Sequence, residues 1–238
     1  MQVPLTGGGA QVIGTFVARP NRFVLEVQLP DGAMVRAHMA DRGRLVETLI
    51  PGVPICLVAR PGKNRATQWQ AAAAQRADGS WASLDTLLPN RLMRLVLEQQ
   101  LIPQLPAYHV VRREVQIGAS RFDFVLEGGT MPIVLEVKSA GRIVSGLGLV
   151  PDAPSSRASR HVSELILLAQ SGYYATLVVI AQGVANRVAI DATTDPVLAD
   201  TVRVAATRGV QCIGVSAGFD LTGLTYQHDV PFIVDDEK

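Results

Sequence analysis

The chain has 238 residues, 48% hydrophobic and 18% charged, which excludes wholesale disorder and supplies core for one large or two modest domains. Its formal net charge is +1, so any surface for an acidic polymer must be a local patch rather than a global field. No stretch approaches ~18 continuous apolar residues and no basic-then-apolar leader opens the chain, so neither membrane span nor export signal is expected.

Residues 13–86 read as short strands punctuated by turn formers. The expected strands are Ile13–Val17, Phe23–Leu29, Ala33–Met39, Pro54–Ala59, Thr67–Gln75 and Trp81–Asp85. Between them lie Arg-Pro-Asn, Leu-Pro-Asp-Gly, Pro51-Gly52 and Ala-Asp-Gly-Ser, each with a backbone reason to turn. One short helix is expected near Gly43–Leu49. Several short strands with one small helix suggest an OB-like β-barrel. Cys56, in one of these strands, and the distant Cys212 lack metal-ligand spacing, which favours free thiols in a reducing cytoplasm.

From Leu88 the pattern changes, placing a domain boundary near 85–90. Pro89-Asn90 precede an amphipathic run, so Asn90 is expected to cap a helix reaching about Leu101. Strands follow at Tyr108–Gln116, Arg121–Leu126 and Ile133–Ser139. A helix at about Ser159–Ser171, a strand at Tyr174–Ala181, a helix at Pro196–Arg208 and a strand at Val210–Ser216 complete the sequence of elements, with Gly209 as the helix stop. Three strands followed by alternating helix and strand is an α/β reading with a mixed sheet. The expected domains are 1–86 and 87–238, and Asp235–Lys238 reads as a frayed tail.

The strongest chemical signal lies in Arg121-Phe-Asp-Phe-Val-Leu-Glu-Gly-Gly-Thr-Met-Pro-Ile-Val-Leu-Glu-Val-Lys138, a hairpin pattern around a Glu-Gly-Gly turn. Alternation puts Glu136 and Lys138 on one strand face, and Asp123 opposite the direction of Phe122 and Phe124. If the faces coincide, two carboxylates and an ammonium meet on a sheet otherwise built for burial, which is costly unless they pair or hold a metal. Of the 22 basic residues 19 are arginine, so a lysine at 138 stands out, and arginine cannot copy a compact ammonium. The functional reading is a divalent-metal phosphodiesterase centre, with Asp123 and Glu136 as ligands of Mg²⁺ (or Mn²⁺) and Lys138 at the attacking water. The competing reading is an edge hairpin with a solvated ion pair. Glu114, on the preceding strand, either completes the acidic cluster or pairs with Arg112 or Arg113.

A second concentration of unusual residues is the loop Val150-Pro-Asp-Ala-Pro-Ser-Ser-Arg-Ala-Ser-Arg-His161. Arg157, Arg160 and His161 bring donors to a helix start, a natural phosphate site, with Ser159 as a candidate cap. His161 also fits a satisfied structural histidine. Arg121 beside Asp123, and Arg22, Arg42 and Arg44 in the N-terminal part, are further candidate nucleic-acid contacts, with Phe23 or Trp69 available to stack a base.

Read together, Arg19-Pro-Asn-Arg-Phe23, Ala37-His38 with Asp41-Arg-Gly-Arg-Leu45, Leu49-Ile-Pro-Gly52, Leu84-Asp-Thr86 with Pro89-Asn90, Gly118-Ala-Ser-Arg-Phe-Asp-Phe124, Glu136-Val-Lys-Ser139, Pro151-Asp-Ala153 and Arg160-His161 with Glu164-Leu165 resemble the sugar fermentation stimulation protein family. That resemblance implies an N-terminal OB-like barrel followed by a PD-(D/E)xK, restriction-endonuclease-like α/β domain. It also implies DNA binding and a link to maltose metabolism. Two activities then compete: a metal-dependent nuclease, or a non-enzymatic DNA-binding regulator with a silent nuclease-like site. The expected partner is DNA, including structured or single-stranded forms, with no membrane; a homodimer is the base-rate oligomer. One departure sits beside the candidate site, where Ser139-Ala-Gly-Arg142 replaces the usual Ser-Val-Thr-Leu and introduces a glycine and a charge.

Overall fold

A computed structural model of the chain describes residues 1–5, 9–41, 43, 45–46, 48–62 and 66–234. The backbone divides into two units: Gln2–Leu88 with Phe219–Thr225, and Pro89–Gly218 with Met1 and the segment from Tyr226.

The first unit contains β1 (Gln2–Pro4), β2 (Gln11–Asn21), β3 (Val24–Gln28), β4 (Met34–Met39), β5 (Pro54–Ala59), β6 (Trp69–Gln75) and β7 (Trp81–Ser83). β2 pairs antiparallel with β3 and β5, β3 with β4, and β5 with β6; a parallel pairing of β4 with β6 closes a five-stranded ring. Closure leaves no free edge in the ring, which is how a small barrel of short strands avoids unpaired ladder groups. Alternate residues of these strands, among them Phe16, Leu25, Val27, Met39, Ile55 and Leu57, fill the interior. At Gly14 a Cβ would lie 2.6 Å from a Val27 methyl and 2.8 Å from the Gln28 carbonyl oxygen, so the close approach of β2 to β3 requires glycine. The short helix expected at 43–49 falls partly outside the described residues; those described show Leu49 N–H bonded to the Leu45 carbonyl at 2.8 Å.

The second unit carries α1 (Leu88–Glu98), β8 (Val110–Ile117), β9 (Ser120–Glu127), β10 (Ile133–Ala140), β11 (Arg142–Val144), β12 (Leu147–Val150), α2 (Ser156–Gln170), β13 (Tyr174–Gln182), β14 (Arg187–Ile190), α3 (Pro196–Thr207), β15 (Gln211–Asp220), β16 (Gly223–Val230) and β17 (Phe232–Ile233). Its main sheet runs β16-β15-β13-β10-β9-β8. β10, β13 and β15 are parallel, whereas β8, β9 and β10 form an antiparallel meander. The mixed-sheet α/β class expected from the order of elements is the one observed. Val162 and Leu165 of α2 and Leu198, Val202 and Ala205 of α3 pack in one cluster with Val134 and Leu177 of the sheet. A smaller sheet, β11-β12-β14-β17, lies in the same unit. No helix among the described residues is long and apolar enough to cross a membrane.

Two helix starts differ from expectation. The cap of α2 is Ser155, whose hydroxyl accepts from Ala158 N–H at 3.2 Å, whereas Ser159 is already inside the helix with its own N–H bonded to the Ser155 carbonyl. Ser155 takes the extended backbone that a cap needs, with φ −141° and ψ 95°. Asn90 lies inside α1 rather than ahead of it, which frees its amide for another partner. The α3 start is as written in the sequence. Asp195 accepts from Leu198 N–H at 3.0 Å with Pro196 following, and Gly209 takes φ +89° past the end.

Asp195 also reaches beyond its own helix, since its second carboxylate oxygen accepts from Ser155 N–H at 2.8 Å. One buried side chain therefore fixes the starts of both α2 and α3. Asp195→Ala is expected to lower stability by about 2–3 kcal/mol, the scale of a lost cap plus an orphaned buried N–H. Urea unfolding of the variant measures this, and a loss under about 0.5 kcal/mol would contradict the double-cap account.

Candidate functional site

Phe122 and Phe124 of β9 are each 1% exposed and point into the core, so Arg121 and Asp123 are turned to the opposite face. β9 and β10 are in register through Leu135↔Phe124, the last pair of their ladder. β10 continues to pair with β13 as far as Ala140↔Ala181. Where β9 departs, the next inward N–H of β10, that of Val137, is satisfied by the Asp123 side chain: Oδ2 accepts it at 2.8 Å. The other oxygen, Oδ1, accepts from the Asn90 amide of α1 at 2.7 Å. Asp123 thus sits at the fork of two strands.

Glu136, one residue past the end of that ladder, is 4% exposed. Its Oε1 receives the Lys138 ammonium from the same strand face and lies 2.8 Å from Nδ1 of His161. An ionised carboxylate can only accept, so with Glu136 charged the His161 proton resides on Nδ1. His161 is 3% exposed, held in the face of α2 that packs on the sheet, with its ring tilted against Phe122 at a centroid distance of 6.1 Å. Glu136 Oε2 is also buried but has no hydrogen-bond partner among the described residues. Burial and the neighbouring Glu136 charge push the Asp123 carboxyl up to about 6, against the lowering pull of Val137 N–H, Lys138 and Asn90.

A partly buried carboxylate, Asp123, and a buried one, Glu136, whose Oε2 meets no donor among the described residues, form a site short of positive charge. A hard divalent cation suits it: Asp123 and Glu136 would contribute oxygen ligands, with backbone carbonyl oxygens and water completing the shell. Among the described residues no group of three or more His, Cys, Asp or Glu side chains forms a ready metal cage. A pair of carboxylates plus water is the pattern Mg²⁺ tolerates, so the residues present fit such an ion.

The other candidates are placed as follows. Glu114 adopts φ +52°, and its exposed carboxylate bonds Arg121 Nε at 2.9 Å rather than Arg112 or Arg113; Arg112 pairs instead with Glu127 at 3.2 Å. Arg157 and Arg160 are exposed in the opening turns of α2. Arg22 is exposed, its guanidinium 4.9 Å above the Phe23 ring, and its carbonyl accepts from Arg19. Arg42 and Arg44 lie outside the described residues. Arg142, the charge that follows Lys138 by four residues, is tied to Asp191 Oδ2. Sequence reasoning missed the link of Asn90 to Asp123. It also placed His161 with the surface arginines; the available signal was His161 and Leu165 at four-residue spacing on the apolar side of α2.

Comparison with known proteins places this geometry. Residues 87–223 match a family model described as the sugar fermentation stimulation protein RE domain, and residues 17–84 match one described as the SfsA N-terminal OB domain. A sugar fermentation stimulation protein homolog of Chloroflexus aurantiacus is 42% identical over 232 residues, 97% of this chain and 89% of the relative. An archaeal homolog from Methanothermobacter thermautotrophicus is 31% identical over 209 residues, 87% of this chain and 86% of that one. The solved structure of Pyrococcus furiosus SfsA in complex with Ca²⁺ is 28% identical, with a TM-score of 0.85, covering 97% of this chain and 99% of that one.

The raised Asp123 value has a consequence for stability. Between its ordinary 3.8 and about 6, the folded chain retains a proton that the unfolded chain has released, so stability falls as pH rises through that window. The penalty, on the order of 2–3 kcal/mol, is complete above pH ~6 and absent below pH ~4. Asp123→Asn removes the charge, and rotation of the Asn90 amide can restore a matching bond. In chelator-treated protein the variant is expected to melt higher than wild type at pH 8 and not at pH 4. An equal difference at both pH values would refute the assignment.

Proposed function

Because the chain belongs to the sugar fermentation stimulation protein family, we propose that it binds DNA and that its second unit hydrolyses phosphodiester bonds with a divalent cation at Asp123 and Glu136. The observation that carries this reading is the fork of β9 and β10. Two carboxylates and the Lys138 ammonium converge there, and buried Glu136 Oε2 has no donor. The Pyrococcus furiosus relative in complex with Ca²⁺ supports an oxygen-ligand cation site in a chain of this fold. For catalysis the ion is Mg²⁺ or Mn²⁺, which when bound activates water and neutralises phosphoryl charge.

The chain's own residues do the rest. Asp123 and Glu136 hold the ion, and both must be ionised to do so. Lys138, its side chain 22% exposed, is the member of the cluster that can reach solvent, and its Nζ–H groups stabilise charge developing on a phosphoryl oxygen. Arg121, Arg157 and Arg160, exposed in the same unit, neutralise backbone phosphates of the bound strand. Glu114 acts on the site only through Arg121, to which its carboxylate is committed. In the barrel unit Arg22 contacts the DNA backbone, with Arg42 and Arg44 as further contacts. Both cysteines are free, which supports a reducing cytoplasm as the place of action.

Plasmid, single-stranded and branched DNA incubated with Mg²⁺, Mn²⁺ or EDTA provide the test. Metal-dependent nicking is expected, reduced about 100-fold or more in Lys138→Ala, the scale of one lost transition-state donor. Failure to cleave any of these substrates, with DNA binding intact in wild type and Asp123→Ala, would sink the nuclease and leave a non-enzymatic DNA-binding regulator. Arg157→Ala with Arg160→Ala should weaken binding and flatten its salt dependence.

A further inference from the structure

His161 and Lys138 address the same oxygen of Glu136 but differ in access to solvent. His161 is 3% exposed, its ring tilted against Phe122 of β9, and its Nδ1 lies 2.8 Å from Glu136 Oε1. Lys138 bonds that oxygen too, but its side chain is 22% exposed on a flexible stem. A buried imidazole cannot reach a DNA phosphate, whereas the ammonium can leave Glu136 to do so. Were Lys138 the sole donor, its departure would free the carboxylate to rotate and would strip Oε1 of its partner inside the fold.

We propose that His161 is a positioning residue: its Nδ1–H bond locks the Glu136 carboxylate so that Oε2 stays presented to a divalent cation while Lys138 is released to the scissile phosphate. This rests on the cation site proposed above. It removes His161 from the DNA-contacting surface and makes Glu136 independent of whether Lys138 is engaged. Outer partners of this kind set the orientation of a ligand side chain, and their loss typically weakens metal binding by about 10–100-fold.

The test compares two substitutions of nearly equal size. His161→Asn keeps a donor where Nδ1 stood; His161→Leu removes it; both open the same space beside Phe122. Binding of Mn²⁺ and Ca²⁺ is measured by calorimetry and by the cation-induced rise in melting temperature. DNA binding is measured in EDTA. His161→Leu is expected to bind cation about tenfold or more weakly while His161→Asn stays within about threefold of wild type, and both bind DNA in EDTA as wild type does. Lys138→Met, at a partly exposed position, provides a second arm and is expected to bind cation no more weakly than wild type, since His161 still holds Oε1. Equal cation affinity in wild type and His161→Leu overturns the positioning role alone. So does equal loss in Asn and Leu, a loss of cation binding in Lys138→Met, or a fall in DNA binding in EDTA. If wild type binds neither cation, the site reading itself fails and this role fails with it.

Discussion

The site depends on a single unmet backbone obligation. A strand inside a sheet must pair its N–H groups on both sides, and β10 loses its β9 partner after Leu135 while remaining paired to β13. The Val137 N–H would then be buried without an acceptor, at a cost of about 1–3 kcal/mol. Asp123 supplies the acceptor from the departing strand itself. A carboxylate is therefore placed at the fork for structural reasons, and the fork is what opens room beside it. The opening in the sheet and the acid that marks it come from one arrangement.

Once Asp123 is fixed there, the surrounding donors can be accounted for one by one. Val137 N–H and Asn90 occupy one oxygen each of Asp123, and Lys138 and His161 share one oxygen of Glu136. Glu136 Oε2 is left over, buried among them. Donors come from β10, α1 and α2, so three elements must be in place before the carboxylates are held. Yet together they leave the cluster one donor short. That shortage separates this cluster from the Glu26–Arg36 and Glu127–Arg112 pairs, which are exposed, screened by water and worth little either way. Burial makes the unmet oxygen matter.

Much of this was legible in the chain because it is local. Period-two alternation in Arg121–Leu126 and Ile133–Lys138 was enough to turn Asp123 away from the two phenylalanines and to put Glu136 with Lys138. Pro196 at the start and Gly209 past the end bounded α3 as they stand in the sequence. What escaped was set by distant partners. β1 forms a strand only by pairing with Gly223–Thr225, and β14 only between β12 and β17. Strands of three or four residues have too little pattern to announce themselves. At α2 several serines could have served as the cap, and Ser155 is the one that does. Glu114 holds a positive φ, and its exposed carboxylate is given to Arg121 rather than to the acidic cluster. Asn90 looked like a cap because a helix start and an amide ligand for a carboxylate draw on the same residue type.

The segment after Lys138 shows how a second cation is kept apart from the cluster. Gly141-Arg142 would bring a loose cation within a few residues of a cluster whose balance of charge is its whole chemistry. Instead Arg142 opens β11, and its guanidinium is taken by Asp191, which also accepts from the Thr194 hydroxyl at 2.6 Å and Thr193 N–H at 3.1 Å. The carboxylate that neutralises it lies after β14, in the small sheet rather than the main one. A rigid guanidinium fork held by such a partner stays where it is, whereas the lysine four positions before it has a flexible stem and an ammonium that can exchange partners. In a chain whose 22 basic residues include 19 arginines, positions 138 and 142 set a partly exposed ammonium on a flexible stem against a guanidinium tied to Asp191.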